Sequence, residues 1–357
     1  MIVLSRDPLE RTVIARRLSE QKSTLLDSLS HSRVTTIFGS GSREDEVYIK
    51  EVPSEVNAGT AVDSRLRQLG FLVERIDPSS PQILEELASA TLVLLNAHGD
   101  LGECGRIQGI LDILGVPYTG SGLLGSSTCL DKSVFRRLAA TFDLAVAPGA
   151  VVGSLGQFDE IAAEHGFPLV AKPLRGGSSV DLRVLQSGSE RSTIGELLQQ
   201  RGSRELLIEK YIAGRDFTSG MMEWCGSVAI LPPLEIISGE GFYSEQNKMR
   251  DHWSGSVRYV VQNGDDAKLF EPIYARLEHL WKSLHLRGAV RFDFRLDTTG
   301  VPCLLEANTN PGLSVGGNLA VAARACEISF DELLLWILGS AAYDSPASGF
   351  TVRFLPC

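Results

Sequence analysis

Apolar and polar residues alternate along the chain in patterns that predict helices in some segments and strands in others. Residues 7–29 begin with Asp-Pro-Leu-Glu, which suits a helix N-terminus, and continue with apolar residues at roughly helical spacing. We expect an amphipathic helix over this segment. Its simplest role is to pack against the body of the protein or to form a dimer contact.

The segment after this helix shows the pattern of an α/β unit. Short apolar runs at 34–38, 71–76 and 92–96 predict strands, and a helical stretch separates the first two. Strands that alternate with helices favour a parallel sheet, in which ligands bind at the carboxyl ends of the strands. The loops 39–42 and 98–103 follow two of these strands and are therefore expected at the ligand-binding edge.

The rest of the chain is predicted to form two further lobes. Strands are predicted at 169–173, 206–212, 228–237, 290–297 and 303–308, and helices at 133–141, at 269–286 and after a capping box at 329–332. A chain of 357 residues exceeds the roughly 250–300 residues at which a single core stops growing. We expect a helical N-terminal extension at 1–32, an N-terminal α/β domain at 33–121, a central lobe at 122–213 and a C-terminal lobe with a metal site at 214–357.

The composition is that of a globular chain and narrows the choice of partners. Apolar residues make up 43% of the chain and charged residues 22%, which argues against disorder. The formal net charge of -10 would repel a phosphate backbone, so we expect no nucleic acid partner. No apolar run reaches the ~18 residues of a membrane span, no secretory signal opens the chain, and the six cysteines form no Cys-x-x-Cys pair. We expect a cytoplasmic protein that makes no membrane contact.

Several common nucleotide and hydrolase motifs are missing or incomplete. The chain has no Gly-Lys dipeptide and therefore no P-loop. The Gly-Ser-Gly at 39–41 follows a strand, but Glu44 replaces the third glycine of a dinucleotide fingerprint. The segment 312–316 reads Gly-x-Ser-x-Gly, yet no histidine follows His285 to complete a hydrolase triad.

The stretch 291–308 predicts a metal site. Alternate residues of a strand share a face, so Arg291, Asp293 and Arg295 face one way, and Glu306 and Asn308 share a face of the neighbouring strand. Two carboxylates and an amide oxygen then converge on one side of a sheet, and such hard ligands suit Mg²⁺ together with phosphate oxygens. The alternative is a solvated sheet face that carries charge.

A second stretch, 172–179, predicts a phosphate site. Lys172 ends a strand and is followed by a Gly-Gly-Ser-Ser loop, so one cation and several backbone N–H groups could close over a polyphosphate. The alternative is a plain flexible turn. Lys132 and Lys210 are further cations, and the strand end 209–212 could offer a carboxylate and backbone groups to an adenine edge, although it could equally be a plain edge strand.

Taken together, these segments resemble the ATP-grasp ligases, and within them the D-alanine–D-alanine ligase family, from about Val34 to Ser340. The segments that carry the resemblance are 98–109, 117–122, 131–132, 172–180, 209–210, 214–218 and 305–312. The resemblance implies an α/β fold (α+β in the later lobes): an ATP-grasp fold with an N-terminal Rossmann-like parallel-sheet domain, whose central and C-terminal lobes hold ATP.

The resemblance also implies roles for individual residues. Those implied to hold the ATP phosphates are Lys132, Lys172 and Lys248, and those implied to hold adenosine are Glu209, the backbone of Lys210 and Ile212, and Asp216. Those implied to bind two Mg²⁺ ions, with Mn²⁺ as an alternative, are Asp293, Glu306 and Asn308. Those implied to bind the first amino acid are Glu44 and Ser178, with His98 nearby, and Arg291 would meet a substrate carboxylate and then the charge of the tetrahedral intermediate.

The sequence departs from the family pattern around the amino acids and the lid that is expected at 239–249. Met249 stands where the family usually has a tyrosine, and Gly317 and Asn318 stand where it has a Ser-Leu pair near the second substrate. In the glycine-rich loop, Gly176 replaces a glutamate and Asp181 a glycine. The ATP and metal positions match, so the resemblance implies that the ATP chemistry is kept while the choice of substrate stays open.

We therefore predict an enzyme that uses ATP to join two amino acids through an acyl phosphate, with D-alanyl-D-alanine as the default product. One alternative is a ligase of specialised metabolism that joins other amino acids or closes a ring. A second is a nucleotide-binding regulator that has lost turnover. A homodimer is expected because relatives are dimeric.

Overall fold

The protein is described here from a computed structural model. The described residues are 1–4, 8–29, 33–39, 46, 48–50, 52, 57–176, 182–200, 205–238, 257–262 and 264–354. Within them, no helix has the length and apolar character needed to cross a membrane.

The first part of the chain builds a small parallel sheet. Its elements are β1 (Ile2–Val3), α1 (Pro8–Ser28), β2 (Arg33–Ile37), α2 (Ala58–Gln68), β3 (Leu72–Ile76), α3 (Ile83–Ala88), β4 (Leu92–Leu95), α4 (Gly99–Gly102) and α5 (Arg106–Leu114). The strand order is β3-β2-β4, and both neighbours run parallel to β2. The carboxyl ends of β2 and β4 therefore open on the same edge, as the strand pattern predicted.

The second part builds an antiparallel sheet of four strands. Its elements are α6 (Leu123–Leu130), α7 (Lys132–Thr141), β5 (Gly149–Val152), α8 (Leu155–His165), β6 (Leu169–Pro173), β7 (Arg183–Leu185), α9 (Arg191–Gln200) and β8 (Leu206–Lys210). The strand order is β5-β8-β6-β7. The helices α8 and α9 cover one face of this sheet with buried apolar side chains such as Phe158 and Ile194.

The last part builds the largest sheet, of seven strands. Its elements are β9 (Gly214–Trp224), β10 (Ser227–Ile230), β11 (Leu234–Ser238), β12 (Val257–Val261), α10 (Asp265–Ser283), β13 (Ala289–Asp297), β14 (Pro302–Asn308), α11 (Asn318–Arg324), α12 (Phe330–Gly339), β15 (Ala342–Asp344) and β16 (Thr351–Arg353). The long strand β9 pairs with β13 on one side and with β10 and β11 on the other. β14 pairs antiparallel with β13 and completes the surface that carries the predicted metal ligands.

The predicted extension is integrated into the last lobe. In α1, Ile14, Leu18 and Leu25 are fully buried and join the same core cluster as the apolar residues of α12. β1 pairs parallel with β10 at an edge of the seven-stranded sheet. The residues before β2 therefore pack against the body of the protein, as one of the two expected roles requires.

Three local predictions were wrong. The segment 228–237 was predicted as one strand but forms β10 and β11, because it contains consecutive prolines, which cannot donate to a strand ladder. The segment 98–103, predicted as a loop, contains the short helix α4. The strand predicted at 206–212 ends at Lys210.

The predicted domain boundaries remain a prediction, although the three sheets follow one another in the expected order. The final hairpin of β15 and β16 also contacts the N-terminal domain. Ala342 pairs with Tyr118, which in turn pairs with Val93 of β4. The end of the described chain thus extends the N-terminal sheet.

Candidate active site

A cleft between the four-stranded and seven-stranded sheets brings together most of the residues predicted to bind ATP and metal. It contains about 990 Å³ of empty space, its solvent-filled opening included. The predicted residues that line it are Lys132, Lys172, Glu209, Lys210, Ile212, Asp216, Asp293 and Glu306. Apolar side chains such as Val170, Leu182 and Leu305 line it as well. Apolar walls with a few convergent charged groups are typical of small-molecule sites.

The pairing of β13 with β14 sets the positions of the predicted metal ligands. Arg291 lies opposite Asn308, and Asp293 lies opposite Glu306. Because alternate residues of a strand share a face, these side chains project on the same side of the sheet. Thr218, on the neighbouring strand β9, donates a hydrogen bond to Oδ1 of Asp293 at 2.7 Å. The structure therefore brings together the three oxygen-bearing side chains that alternation had grouped.

Arg291 is bound in a fork to the carboxylate of Asp293. Its Nε donates to Oδ1 at 2.9 Å and its Nη2 donates to Oδ2 at 2.8 Å. Burial lowers the pKa of the Arg291 guanidinium, but the charge and hydrogen bonds of Asp293, with the charge of Glu306, outweigh it and raise that pKa above its usual value. The arginine therefore stays charged beside both carboxylates.

The donor chemistry of this set fits a hard divalent cation. Two carboxylates and one amide oxygen are ligands that Mg²⁺ accepts when phosphate oxygens and water complete its coordination. Within the described part of the chain, no group of three or more His, Cys, Asp or Glu side chains could hold a metal ion. The set at β13 and β14 has only two such side chains, so it depends on Asn308 and on oxygens from a bound nucleotide.

Lys132 connects the predicted phosphate loop to the carboxylate pair. It is the first residue of α7, whose N-cap Asp131 accepts hydrogen bonds from the backbone N–H groups of Ser133 and Val134. The Lys132 ammonium donates to the carbonyl oxygen of Gly176 at 2.5 Å and lies 3.6 Å from Oε2 of Glu306. The cap thus holds a cation where the glycine-rich loop begins.

Glu209 is a buried carboxylate with two cationic partners. Nζ of Lys172 lies 2.5 Å from its Oε2, and Nε of Arg136 lies 3.3 Å from its Oε1. Arg136 also donates to the carbonyl oxygens of Ala147 and Gly149, which fixes its guanidinium against the start of β5. A buried carboxylate is stable only when it is paired and hydrogen-bonded, and here the pairing comes from two directions.

The residues of the strand end 209–212 have different surroundings. The Lys210 ammonium donates to the carbonyl oxygen of His165 at 2.6 Å, so its side chain is bound at the C-terminal end of α8. Tyr211 and Ile212 line the cleft just after β8 ends. Asp216 lies across the cleft floor on β9, where Arg295 pairs with it at 2.9 Å. This region offers backbone groups, an aromatic ring and a paired carboxylate.

His98 and the loop after β14 meet at the edge of the N-terminal sheet. His98 caps the start of α4, and a Cβ atom added to Gly312 would lie 3.4 Å from its Nε2. The Asn310 side chain donates to the carbonyl oxygen of Ala97 at 2.5 Å. The predicted substrate histidine therefore adjoins the same loop that continues from the predicted metal ligands.

Gly317 and Asn318 begin α11 on the far side of this loop. Gly317 is the N-cap residue, and Asn318 is buried, with its Oδ1 accepting a hydrogen bond from the backbone N–H of Leu319. The other predicted residues of the amino acid site and lid, Glu44, Ser178, Lys248 and Met249, lie outside the described residues. The same holds for the whole of the expected lid at 239–249.

Sequence reasoning missed two residues that the structure places at the cleft. Arg136 follows Lys132 by one helical turn, and this i, i+4 spacing could have suggested that both reach the same site. Arg295 was placed on the correct face but given no role. The partners of both arginines are acids distant in sequence, so the chain order alone does not reveal them.

Comparison with known proteins agrees with this architecture. The family model "D-ala D-ala ligase C-terminus" matches residues 143–338. The D-alanine–D-alanine ligase of Cupriavidus necator is 32% identical over 321 residues, which cover 89% of this chain and 94% of that protein. The corresponding ligase of Nitrosospira multiformis is 32% identical over 311 residues, which cover 87% and 96%. The chain belongs to the D-alanine–D-alanine ligase family.

Solved structures of this family share the fold. The D-alanine–D-alanine ligase from Bacillus anthracis complexed with ATP superposes with a TM-score of 0.70 at 26% identity, covering 87% of this chain and 97% of that chain. The D-alanyl-alanine synthetase A from Vibrio cholerae gives a TM-score of 0.72 at 23% identity, covering 86% and 97%. The predictions of an ATP-grasp fold and of an ATP-dependent ligase are confirmed for this member of the D-alanine–D-alanine ligase family.

Proposed function

We propose that this ligase joins two amino acids, with D-alanyl-D-alanine as the default product, by way of an acyl phosphate. The observation that carries the proposal is the single cleft in which two lysines, a buried glutamate and the Asp293–Glu306 pair converge. The relatives named D-alanine–D-alanine ligase support the same product.

The chemistry explains why such a cleft is needed. An ionised carboxylate is a poor electrophile, because attack must add charge to an anion and expel oxide. Transfer of the γ-phosphoryl group of ATP to this carboxylate gives an acyl phosphate with a good leaving group. The amine of the second amino acid then attacks the acyl carbon, phosphate leaves and the amine proton is lost. Water must be excluded meanwhile, or the intermediate hydrolyses.

We assign the phosphates to Lys132 and Lys172, with Lys248 as the third cation. Lys132 already bridges the glycine-rich loop and Glu306. Lys172 makes its ion pair with Glu209 inside the cleft, so a modest rotation of its flexible stem would bring the ammonium to a phosphate. Cations placed in a low-dielectric cleft stabilise the charge that develops during phosphoryl transfer.

We assign adenosine to the other end of the cleft. Glu209 and the backbone of Lys210 and Ile212 would bind the adenine edge, and Asp216 the ribose hydroxyls. Support comes from the lining of the cleft, where these residues lie beside an apolar wall suited to a flat ring.

We assign two Mg²⁺ ions, with Mn²⁺ as an alternative, to Asp293, Glu306 and Asn308. Bound there, they would neutralise phosphate charge during transfer. Arg291, which forks onto Asp293, would meet the substrate carboxylate and later the oxyanion of the tetrahedral intermediate. Glu44, Ser178 and His98 would bind the first amino acid.

One observation favours a second candidate function, a ligase that joins other amino acids or closes a ring. Asn318 is buried at the start of α11, and the buried Oγ of Ser314 has no hydrogen-bond partner within the described residues. With Gly317, these polar or small residues stand near the proposed second amino acid. A second substrate with a polar side chain would pair with them.

A single assay separates the candidates. Phosphate release is measured with ATP, Mg²⁺ and a matrix of D- and L-amino acids, and products are identified by mass. Turnover with D-alanine alone supports the default product, whereas turnover only with another pair or with one bifunctional substrate supports the second candidate. ATP binding without phosphate release under every pairing would instead support the regulator and contradict the proposed ligase function.

We also propose a cytoplasmic homodimer. Cys104, Cys129, Cys225 and Cys303 are free thiols, as expected in a reducing compartment. Large apolar side chains are exposed on α5 and α6, namely Ile113, Leu114, Leu123 and Leu124, and a second copy of the chain would cover such a surface. Sedimentation velocity tests the dimer, and a monomer throughout the micromolar range would contradict it.

A further inference from the structure

Arg295 is a buried charged residue at the nucleoside end of the cleft. It follows Asp293 by two residues on β13 and therefore faces the same way, into the cavity that Tyr211 and Asp216 also line. Its side chain is 8% exposed. A guanidinium buried to this extent is retained only where its donors find acceptors.

The partners of Arg295 come from one short segment of chain. Nη1 donates to Oδ1 of Asp216 at 2.9 Å, and Nη2 donates to the carbonyl oxygen of Gly214 at 2.7 Å and to the Tyr211 hydroxyl at 3.1 Å. The guanidinium also lies 5.0 Å from the centre of the Tyr211 ring. Arg295 thereby joins the end of β8 to the start of β9 around one carboxylate.

The backbone of β9 and β13 brings Arg295 and its partners close together. Arg295 and Asp216 are direct cross-strand partners in the pairing of β13 with β9. Gly214 has a φ of 152°, and a side chain there would collide with the carbonyl oxygen of Leu296. The strand start that bears the accepting carbonyl therefore approaches β13 closely enough only because residue 214 is glycine.

Fixing one oxygen of Asp216 fixes the plane of its carboxylate. The planar fork of arginine sets direction as well as charge, which a lysine ammonium does not. A carboxylate held in one orientation at the rim of a nucleoside pocket is an acceptor for adjacent hydroxyl groups. In addition, Nε of Arg295 is buried and has no hydrogen-bond partner among the residues that the structure describes, so one donor remains for an oxygen of a bound ligand.

We infer that Arg295 is a positioning residue that orients Asp216 toward the ribose hydroxyls and so makes the ligase selective for ribonucleotides over 2′-deoxynucleotides. The inference rests on the proposed binding of adenosine beside Asp216. The ion pair of Arg295 with Asp216 would then determine nucleotide specificity without taking part in phosphoryl transfer.

Equilibrium binding tests the inference without knowledge of the amino acid substrates. The full chain is titrated calorimetrically with Mg·ADP and with Mg·2′-deoxyADP. The wild type should bind ADP about tenfold more tightly, the size expected for one hydrogen bond to a charged group. In Arg295→Met this ratio should fall to within about twofold, because ADP binding weakens while 2′-deoxyADP binding hardly changes.

Two further variants separate orientation from a general structural effect. Asp216→Asn should lower the ratio as Arg295→Met does, and the double variant should show no additional change. Arg215→Met is the matched control, since Arg215 neighbours Asp216 in sequence but pairs with Asp266 away from the cleft. Its ratio should equal that of the wild type.

The possible results distinguish a failure of the role inferred for Arg295 from a failure of the proposed nucleotide site. A wild type that binds both nucleotides equally, or an Arg295→Met variant that keeps the wild-type ratio, would overturn the inference. If the methionine variant does not fold, Arg295→Lys decides, since it keeps the charge without the fork and should show a reduced ratio. A wild type that binds no ADP at all would instead contradict the proposed nucleotide site.

Discussion

At the scale of single residues, three acids of the cleft are each paired with an arginine. Arg136 meets Glu209, Arg295 meets Asp216 and Arg291 forks onto Asp293. Removing one partner of a buried pair leaves an uncompensated charge, which costs far more than the pair contributes. The paired arginines therefore keep acidic side chains available in a cleft that must also accept a polyanion.

Glu306 tests the proposed metal site. Glu306→Gln keeps the shape of the side chain but removes the charge opposite Asp293, so turnover should fall by about 10²–10³-fold while the melting temperature stays near that of the wild type. Phosphate release and thermal unfolding are measured on the same preparation. The exposed Glu160→Gln serves as control and should keep full activity. Near-normal turnover of Glu306→Gln would refute the assignment.

Substitution of Arg136 tests whether Glu209 needs an ion-pair partner that remains beside it when ATP binds. If Lys172 moves to a phosphate when ATP binds, Arg136 is the one cation that still pairs with the buried carboxylate among the residues that the structure describes. Arg136→Met should therefore raise the KM for ATP by about tenfold, equivalent to roughly 1.4 kcal/mol, with a smaller effect on kcat. Steady-state kinetics at saturating amino acid give both constants.

The next residue of the helix supplies the control. Arg137 is exposed and donates only to the carbonyl oxygen of Ser133 within the described contacts, so Arg137→Met should leave the KM for ATP unchanged. An equal increase in both variants would point to general damage to the helix rather than to the loss of a partner for Glu209.

The sequence predicted which side chains share a face within β13 and within β14, because strand alternation has a period of two and needs no tertiary information. Arg291, Asp293 and Glu306 project as that period requires. The sequence did not predict which arginine would pair with which acid. Arg136 and Glu209 are 73 positions apart, and they meet because Arg136 donates to the carbonyl oxygen of Gly149, the strand partner of Glu209.

At the scale of elements, α7 links folding to the proposed phosphate site. Its N-cap Asp131 accepts two backbone hydrogen bonds, and the very next residue, Lys132, supplies the cation of the cleft. A helix start is well placed for this task because its N–H groups and positive dipole end also favour a nearby anion. The position of the Lys132 ammonium therefore depends on the cap that Asp131 forms.

Removing the cap should affect both stability and binding. Asp131→Ala should lower the free energy of unfolding by about 1 kcal/mol and also raise the KM for ATP, because the first turn that holds Lys132 frays. Ser154→Ala removes a comparable N-cap from α8, far from the cleft, and should cost similar stability without changing KM. Urea denaturation and steady-state kinetics measure the two effects. A KM for ATP that is the same in Asp131→Ala and in Ser154→Ala would contradict the link between the helix cap and the proposed phosphate site.

Element types were mostly predictable, and the errors have local causes. The segment 228–237 is apolar except for Glu235, so periodicity alone could not show that the prolines at 232–233 divide it. The helix α4 was missed because its sequence, Gly-Asp-Leu-Gly, has low helix propensity, and tertiary contacts decided its conformation.

At the scale of the whole molecule, a buried polar network joins the N-terminal sheet to the end of the described chain. The Tyr118 hydroxyl donates to Oδ1 of Asp112 at 2.8 Å, and the same oxygen accepts the backbone N–H of Asp344 at 2.8 Å. Arg287 donates to the Tyr118 hydroxyl at 2.8 Å and lies over its ring. The network spans three parts of the sequence and joins the N-terminal domain to Arg287, just before β13 of the seven-stranded sheet.

The network should show a defined dependence on pH. Burial raises the pKa of Asp112 above its ordinary value of 3.8, so the folded state holds the proton more tightly than the unfolded chain. Ionisation of Asp112 at neutral pH therefore reduces stability, and this cost disappears as the pH falls below 3.8. Asp112→Asn keeps an oxygen acceptor for both hydrogen bonds and should be more stable than the wild type at pH 7.

The advantage of this variant should shrink as the pH is lowered toward 4. Denaturant unfolding at several pH values measures it, and Asp27→Asn at an exposed position of α1 is the control, for which no such trend is expected. An Asp112→Asn variant that is less stable than the wild type by the same amount at every pH would contradict the argument.

The first residues of the chain have a consequence for self-association. An edge strand displays unpaired N–H and C=O groups on which another molecule can add a strand, and such additions seed aggregates. Here Ile2 and Val3 occupy the exposed side of β10, and the next residue, Leu4, continues the contact by donating to Ile230. The backbone groups at this edge of β10 are thus paired with β1 of the same chain. A strand from another molecule therefore cannot add to β10 there.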